Sequence, residues 1–244
     1  MLTPVLILVA VAALFLIWLA EPRIFMLLFQ KVAFSVDEKS TFYDGIDELF
    51  PKRIKVEQNI DSIREEFLRF FNSGKNIPKA HQVDEYNGVI SNDLGPGWRT
   101  FYLKVYAAWF EDNCEEFQTT FKLFRDLDDV TAIMFSVMEP GNEIPPHKGK
   151  MKGIFRYQLP LIVPKSGHCY ITVNGEQHHY KVGQSFLFDD NVEHSVVNQT
   201  DEHRVVLFLD IRKQSGLVVK FFDNFFMKLV EISPRFKRAN VGAF

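Results

Sequence analysis

The chain has 244 residues with a formal net charge of −3, which gives no basis for a nucleic-acid partner. Its hydrophobic fraction of 47% is enough for one sizeable core plus appended segments. Cys114 and Cys169 are far apart and belong to no CxxC pair, so neither a disulfide framework nor a cysteine zinc site is expected.

Residues 2–20, LTPVLILVAVAALFLIWLA, carry no charge. As a helix they would be about as long as a bilayer hydrocarbon core, about 30 Å, is thick. No basic residue precedes them, and Glu21-Pro22-Arg23 follows at once, so the pattern reads as an uncleaved anchor rather than a signal peptide; a buried core helix is the alternative. Arg23, Lys31 and PKRIK at 51–55 follow the anchor, which puts the C-terminal bulk on the cytoplasmic side.

RIFMLLFQKVAF, 23–34, is apolar with basic punctuation and could lie along a membrane interface. Within 56–74, Ile60, Ile63, Phe67, Phe70 and Phe71 have helical spacing that Gly74 ends. Residues 92–110 read as a turn and then an aromatic strand, and 111–129 as polar helix.

From 131 the texture becomes short strands at even spacing: TAIMFSVMEPG, GIFRYQLPLIV, CYITVNGEQHHYKVG, QSFLFDD and HRVVLFLDI. Asn174-Gly175 is a strong hairpin signal. The expected fold is mainly β with flanking α, a double-stranded β-helix of the jelly-roll, cupin-like kind with an N-terminal transmembrane helix. The expected organisation is an anchor at 1–22, a juxtamembrane segment at 23–55, the roll with its N-terminal helices at 56–212, and a basic amphipathic segment at 213–244.

The candidate metal ligands are His147, in the loop between the first two strands of the set, and His194, just ahead of the strand at 195–198. An antiparallel roll can bring such strand ends together at one mouth, and neutral imidazole suits iron, zinc or copper alike. His81, His168, His178, His179 and His203 read as structural or solvent-facing. Arg204 and Arg156 lie in apolar strands. Pointing inward, a guanidinium needs an anion, and two of them facing one cavity would suit a small diacid; pointing outward, each would sit on the sheet's wet face.

SVMEPGNEIPPHKGKMKGIFRYQLPLIVPKSG, FDDNVEHSVVNQT and HRVVLFLDI together resemble the aspartyl/asparaginyl β-hydroxylase family, over about a third of the chain. The resemblance implies a double-stranded β-helix that uses Fe(II), 2-oxoglutarate and O2. It implies that His147 and His194 hold the iron, that Arg204 pairs with the distal carboxylate of 2-oxoglutarate, and that Ser136 and Arg156 help bind that cosubstrate. Gln158 stands where the family often has a further histidine. Gly149 stands where related dioxygenases carry the acid of a two-histidine, one-carboxylate site, a departure that the family shares. With one anionic ligand fewer, a coordination position falls to water, which Asp190 or its rival Asp189 could hold; turn chemistry is the alternative for this acidic pair.

Among the family, the single anchor is most similar to membrane-anchored bacterial members that hydroxylate the 2-position of a lipid A acyl chain. That implies a single-pass protein of the inner membrane with a lipid partner and a cytoplasmic catalytic domain. Residues 213–244 hold six basic and two acidic residues, and Val218, Phe222, Phe225, Phe226 and Leu229 could form the face of an interfacial helix or pack on the roll. Hydroxylation of Asp or Asn in proteins, hydroxylation of an ornithine lipid, and non-catalytic cupin-like binding are the competing expectations.

Overall fold

The computed structural model describes residues 2–83, 97–106, 108–165, 167–234 and 236, with side chains from residue 6 onward. The turn expected at 92–96 and the basic residues Arg235, Lys237 and Arg238 lie outside the described residues. Helices α1 (Leu2–Ala20), α2 (Ile24–Ala33), α3 (Ile46–Leu49), α4 (Arg53–Glu57), α5 (Ile60–Asn72) and α6 (Ala80–Val83) lead to strands β1 (Trp98–Val105) and β2 (Ala108–Trp109). Two short helices follow, α7 (Glu111–Glu116) and α8 (Gln118–Phe124), and then eight strands. These are β3 (Val130–Met138), β4 (Asn142–His147), β5 (Ile154–Ile162), β6 (Cys169–Val173), β7 (Glu176–His179), β8 (Phe186–Asp189), β9 (His194–Asn198) and β10 (Arg204–Arg212). Helix α9 (Leu217–Glu231) comes after the last strand.

The strands form two antiparallel sheets in the orders β2-β1-β3-β10-β5-β8 and β4-β9-β6-β7. From β3 onward the chain passes between the sheets so that each hairpin-related pair closes the one before it, the winding of a double-stranded β-helix. The Asn174-Gly175 turn joins β6 to β7 with both residues at positive φ, 48° and 82°, as the hairpin signal requires.

Two apolar clusters divide the molecule by strand parity. Val205, Leu207, Leu209 and Ile211 of β10 join Phe135, Tyr157 and Leu159 beneath Ile63, Phe67 and Phe70 of α5. The alternate residues Val206 and Phe208 face the other way, into the roll, with Met134, Met138, Ile171, Val196, Phe186 and Phe188. A period of two therefore aims Ser136 of β3, Arg156 and Gln158 of β5, and Arg204 and Asp210 of β10 into the interior. The outer face of this sheet is covered by helices rather than wet, so an outward arginine there would have been buried in apolar contacts.

The side chains of α1 from Leu6 to Ile17 are exposed, which is not the pattern of a buried core helix. Among the described residues no single helix is long and apolar enough to cross a membrane; Leu6–Ala20 and Ile24–Ala33 pass that test only as a pair, bent by 95°. Cys114 and Cys169 are free and buried.

Candidate metal and cosubstrate site

His147 and His194 are register partners across β4 and β9. Their ring centroids are 4.2 Å apart. Strand β4 is an edge strand, where Pro145 and Pro146 forfeit no central ladder bond, and the register shifts between Ile144 and His147. That bulge re-aims the last residue of the strand, so the two prolines accompany the step that turns His147 toward His194.

Each ring is oriented in the same way. The Nδ1 of His147 lies 2.9 Å from the carbonyl oxygen of Pro145, and that of His194 lies 2.9 Å from the carbonyl oxygen of Val192. A carbonyl only accepts, so both Nδ1 atoms carry the proton and both Nε2 atoms keep a free lone pair. Burial lowers the pKa of His147, and it pushes that of buried His194 down to about 4 against the pull of Asp190. Both imidazoles are neutral at physiological pH, the form that ligates metal.

The Asp189–Asp190 pair divides its work. Asp189 accepts from the Asn191 amide at 3.1 Å and from Lys213 Nζ at 2.5 Å, which is turn chemistry plus a buried ion pair. Asp190 faces the histidines, with Oδ1 3.8 Å from His194 Nε2 and 3.2 Å from Arg156 Nε. A Cβ on Gly149 would stand only 1.5 Å from Asp190 Oδ2. The Gly149 amide donates to the Asp190 carbonyl at 2.8 Å, and Asn191 Nδ2 donates to the Gly149 carbonyl at 2.7 Å. The absent side chain of residue 149 is thus the room that the Asp190 carboxylate fills. Among the described residues no trio of His, Cys, Asp or Glu is placed to enclose a metal ion. The protein offers a pair of imidazoles with one carboxylate nearby.

Arg204 is 2% exposed. Its guanidinium sits 5.1 Å over the Tyr180 ring, with contacts of 3.5 Å to Ser136 Oγ and to Met138 Sδ, while its Nε has no partner. Among the described residues no carboxylate is paired with it, so a buried cation is left incompletely satisfied, at a cost that a bound anion would remove. Ser136 Oγ also accepts from Trp98 Nε1 at 2.9 Å, and Gln158 Oε1 accepts from the Tyr180 hydroxyl at 3.3 Å. Burial pushes the Tyr180 hydroxyl up to about 12, so it stays a neutral donor.

Arg156 is not a second free cation for a diacid. It lies between Asp190 and Asp210, 2.9 Å from the latter, and its guanidinium stacks 4.5 Å from the centre of the Phe208 ring. Burial pushes Asp210 up to about 6 although Arg156 pulls it down. Arg156 therefore braces the Asp190 side of the site, and Arg204, Ser136, Gln158 and Tyr180 form a separate cluster around the buried guanidinium. Sequence reasoning missed Tyr180 and Trp98, whose only signal is an aromatic beside a strand end. Of the two readings left for His178, structural or solvent-facing, the structure shows the first. That ring is half-buried against Phe42 and Phe186, at 5.1 and 4.6 Å between centroids.

The donor set suits a divalent first-row metal on two neutral imidazoles, beside an anion on a buried guanidinium. A family model described as aspartyl/asparaginyl beta-hydroxylase matches residues 57–214. An ornithine lipid ester-linked acyl 2-hydroxylase from Rhizobium tropici is 31% identical over 189 residues, covering 77% of this chain and 66% of the relative. The aspartyl/asparaginyl beta-hydroxylase of Mus musculus is 26% identical over 163 residues, covering 64% of this chain and 21% of the relative. The chain thus spans just under two thirds of the first relative's length and about a fifth of the second's. Among solved structures, a Pseudomonas putida prolyl-4-hydroxylase matches with a TM-score of 0.42 at 14% identity, over 65% of this chain and 88% of that one.

Proposed function

The chain belongs to the aspartyl/asparaginyl β-hydroxylase family, and from that premise we propose that it is an Fe(II)- and 2-oxoglutarate-dependent hydroxylase of the 2-position of a fatty acyl chain on a membrane lipid. The observation that carries this reading is the pairing of two neutral, convergent imidazoles with a buried guanidinium that has no paired carboxylate among the described residues, inside one roll. In this reading His147 and His194 hold the iron through Nε2. Arg204 grips the distal carboxylate of 2-oxoglutarate as a planar fork, with Ser136 beside it and with Tyr180 and Gln158 fixing the floor beneath. Iron with O2 and 2-oxoglutarate supplies the oxidising power for an unactivated C–H bond.

The protein's own contribution is binding, orientation and exclusion of water. The Nδ1–carbonyl contacts fix both imidazole planes before metal arrives. Asp190 places an acceptor beside His194, where residue 149 offers none, and Arg156 holds that carboxylate in place. Phe188, 5.0 Å from the His194 ring, and Phe208, beneath the Arg156 guanidinium, put apolar rings beside these polar groups.

The substrate reading rests on the exposed apolar α1, read as a membrane anchor with the roll on the cytoplasmic face of the inner membrane, and on the similarity to a lipid acyl hydroxylase. Lipid A is the acceptor favoured by the anchor arrangement. An ornithine lipid is the second reading, favoured by the printed activity of the rhizobial relative. Expression in a host lacking the activity, followed by mass spectrometry of separated lipid classes, tests both. A gain of one oxygen atom on an acyl chain of one class identifies it. No gain in any lipid, with succinate still released in the presence of a protein substrate, would replace this reading by protein hydroxylation. His147→Ala is expected to abolish the gain while leaving the thermal melt of the roll in place; full activity in that variant would refute the iron assignment.

A further inference from the structure

Helix α9 has more apolar surface than the roll uses. Asp223, Met227 and Val230 are buried against α2 and the end of β10. On the opposite side Val218, Phe221, Phe222 and Phe225, at i, i+3, i+4 and i+7, make a second apolar stripe, with Val218 70% and Phe221 65% exposed. Helix α2 continues it with Leu28 and Val32, the latter 90% exposed. The two helices act as one body: Gln30 Nε2 donates to Asp223 Oδ1 at 2.8 Å, and Phe29 lies 6.0 and 5.2 Å from Phe222 and Phe226.

We propose that the α2–α9 pair is a membrane-contact platform that lies flat in the interfacial layer of an anionic bilayer and holds the mouth of the roll at that surface. The proposal rests on the lipid reading above only for the direction of α1. The bend between α1 and α2 is 95°. With α1 along the bilayer normal, α2 therefore runs in the membrane plane, and α9 is carried there with it. Trp18, whose indole donates to the Leu229 carbonyl at 3.0 Å, stands at this corner, the level that tryptophan favours at a membrane surface.

The charges select the occupant. Lys31, Lys220 and Lys228 are exposed on the two helices, Asp223 is turned inward, and Glu231 is paired with Lys228 at 2.9 Å. Apolar side chains rimmed by lysine suit anionic headgroups over acyl chains. A second copy of the chain would set lysine against lysine. The platform is also joined to the site. Met151 packs on Met26, Met227 and Val230. A Cβ on Gly153 would stand 3.0 Å from Gln30 Nε2. The segment that carries His147 and Gly149 thus rests on the platform.

The test uses the full chain in phosphatidylglycerol vesicles whose acyl chains are brominated. Because Cys114 and Cys169 are buried, an environment-sensitive fluorophore can be placed selectively on single variants Val32→Cys, Phe225→Cys, Leu14→Cys in α1 and Glu176→Cys in β7. The proposal expects emission at 32, 225 and 14 to fall below half of its value in unbrominated vesicles and emission at 176 to stay unchanged. Quenching at 14 alone overturns it. A blue-shifted but unquenched label at 225 assigns the stripe to protein–protein contact and also overturns it, as does equal quenching at 176, which marks a chain spread over the lipid. Quenching at 32 and 225 without 14 keeps the platform and refutes the anchor. No turnover is measured, so failure of the hydroxylase reading leaves the result intact.

Discussion

Gly149→Ala tests the close approach at the centre of the site. The new methyl would fall 1.5 Å from Asp190 Oδ2 and 2.1 Å from Cγ, inside any tolerable contact. The carboxylate cannot swing away cheaply, because Asp190 is buried, its Oδ1 is an ion-pair partner of Arg156, and backbone and side-chain hydrogen bonds tie residues 149, 190 and 191 together. Overpacking of a tight interior costs about 1–3 kcal/mol. Weakening the buried Arg156–Asp190 contact adds to it, by up to about 3–5 kcal/mol were the partner lost outright. The expected destabilisation is therefore about 2–4 kcal/mol, read by denaturant unfolding of the detergent-solubilised chain through its near-ultraviolet signal. The decisive measurement is the same substitution in an Asp190→Ala background, where the methyl has room and most of its cost should vanish, a coupling of about 1–3 kcal/mol. An equal cost in both backgrounds would refute the account that Gly149 is required because Asp190 occupies its side-chain space.

Arg204→Met removes an incompletely satisfied buried cation, so the melting temperature should stay level or rise, as apolar replacement of buried charge often stabilises by about 1–4 kcal/mol; 2-oxoglutarate should raise the melting temperature of the wild type and not of the variant, as seen by differential scanning fluorimetry. Asp210→Asn should remove a loss of stability with rising pH and leave the opposing rise from His194 uncompensated. The raised carboxyl makes the folded state hold a proton that the unfolded state has lost, so Asp210 costs stability as pH climbs from about 4 to about 6, on the order of 3 kcal/mol at neutrality. His194, depressed to about 4, acts with the opposite sign, weakening the fold as pH falls through about 6.5 toward 4. The variant-minus-wild-type difference isolates Asp210, and a difference that does not grow from pH 4 to pH 7 would contradict the assignment. Tyr180→Leu should raise the 2-oxoglutarate KM several-fold by removing the ring beneath Arg204. Tyr180→Phe keeps the ring and forgoes one hydrogen bond worth about 1 kcal/mol, so it should change KM far less.

The strand set was legible because its signals are local. Asn174-Gly175 marks a hairpin, and alternation in RVVLFLD sorts β10 into two faces whatever else the chain does. What alternation cannot give is which face is the inside, since both faces of this sheet are covered, one by α5 and the other by the second sheet. Burial of Arg204 therefore had two readings in the sequence, and only the three-dimensional stacking of β10 over Tyr180 separates them. The same limit applies to α9. Helical spacing showed an apolar side, but the helix has two, and the buried one is set by Asp223, Met227 and Val230 meeting α2 rather than by the more apolar stripe.

Charge in the interior explains why Arg156 and Arg204, similar in sequence setting, take different tasks. Arg156 lies opposite Asp210 in the β5–β10 register and beside Asp190 from the turn after β8, so its charge is balanced from within the fold. Arg204 lies opposite Met138 in the β10–β3 register, and its neighbours are a hydroxyl, a thioether and a ring, none of which carries negative charge. A fold tolerates a buried guanidinium of the first kind as structure. The second kind lowers stability unless an anion pairs with it, so the proposed 2-oxoglutarate site would draw binding energy from the same imbalance. This is why loss of charge at 204 should cost ligand binding without costing fold, while loss of charge at 156 should disturb Asp190 and the histidine mouth together.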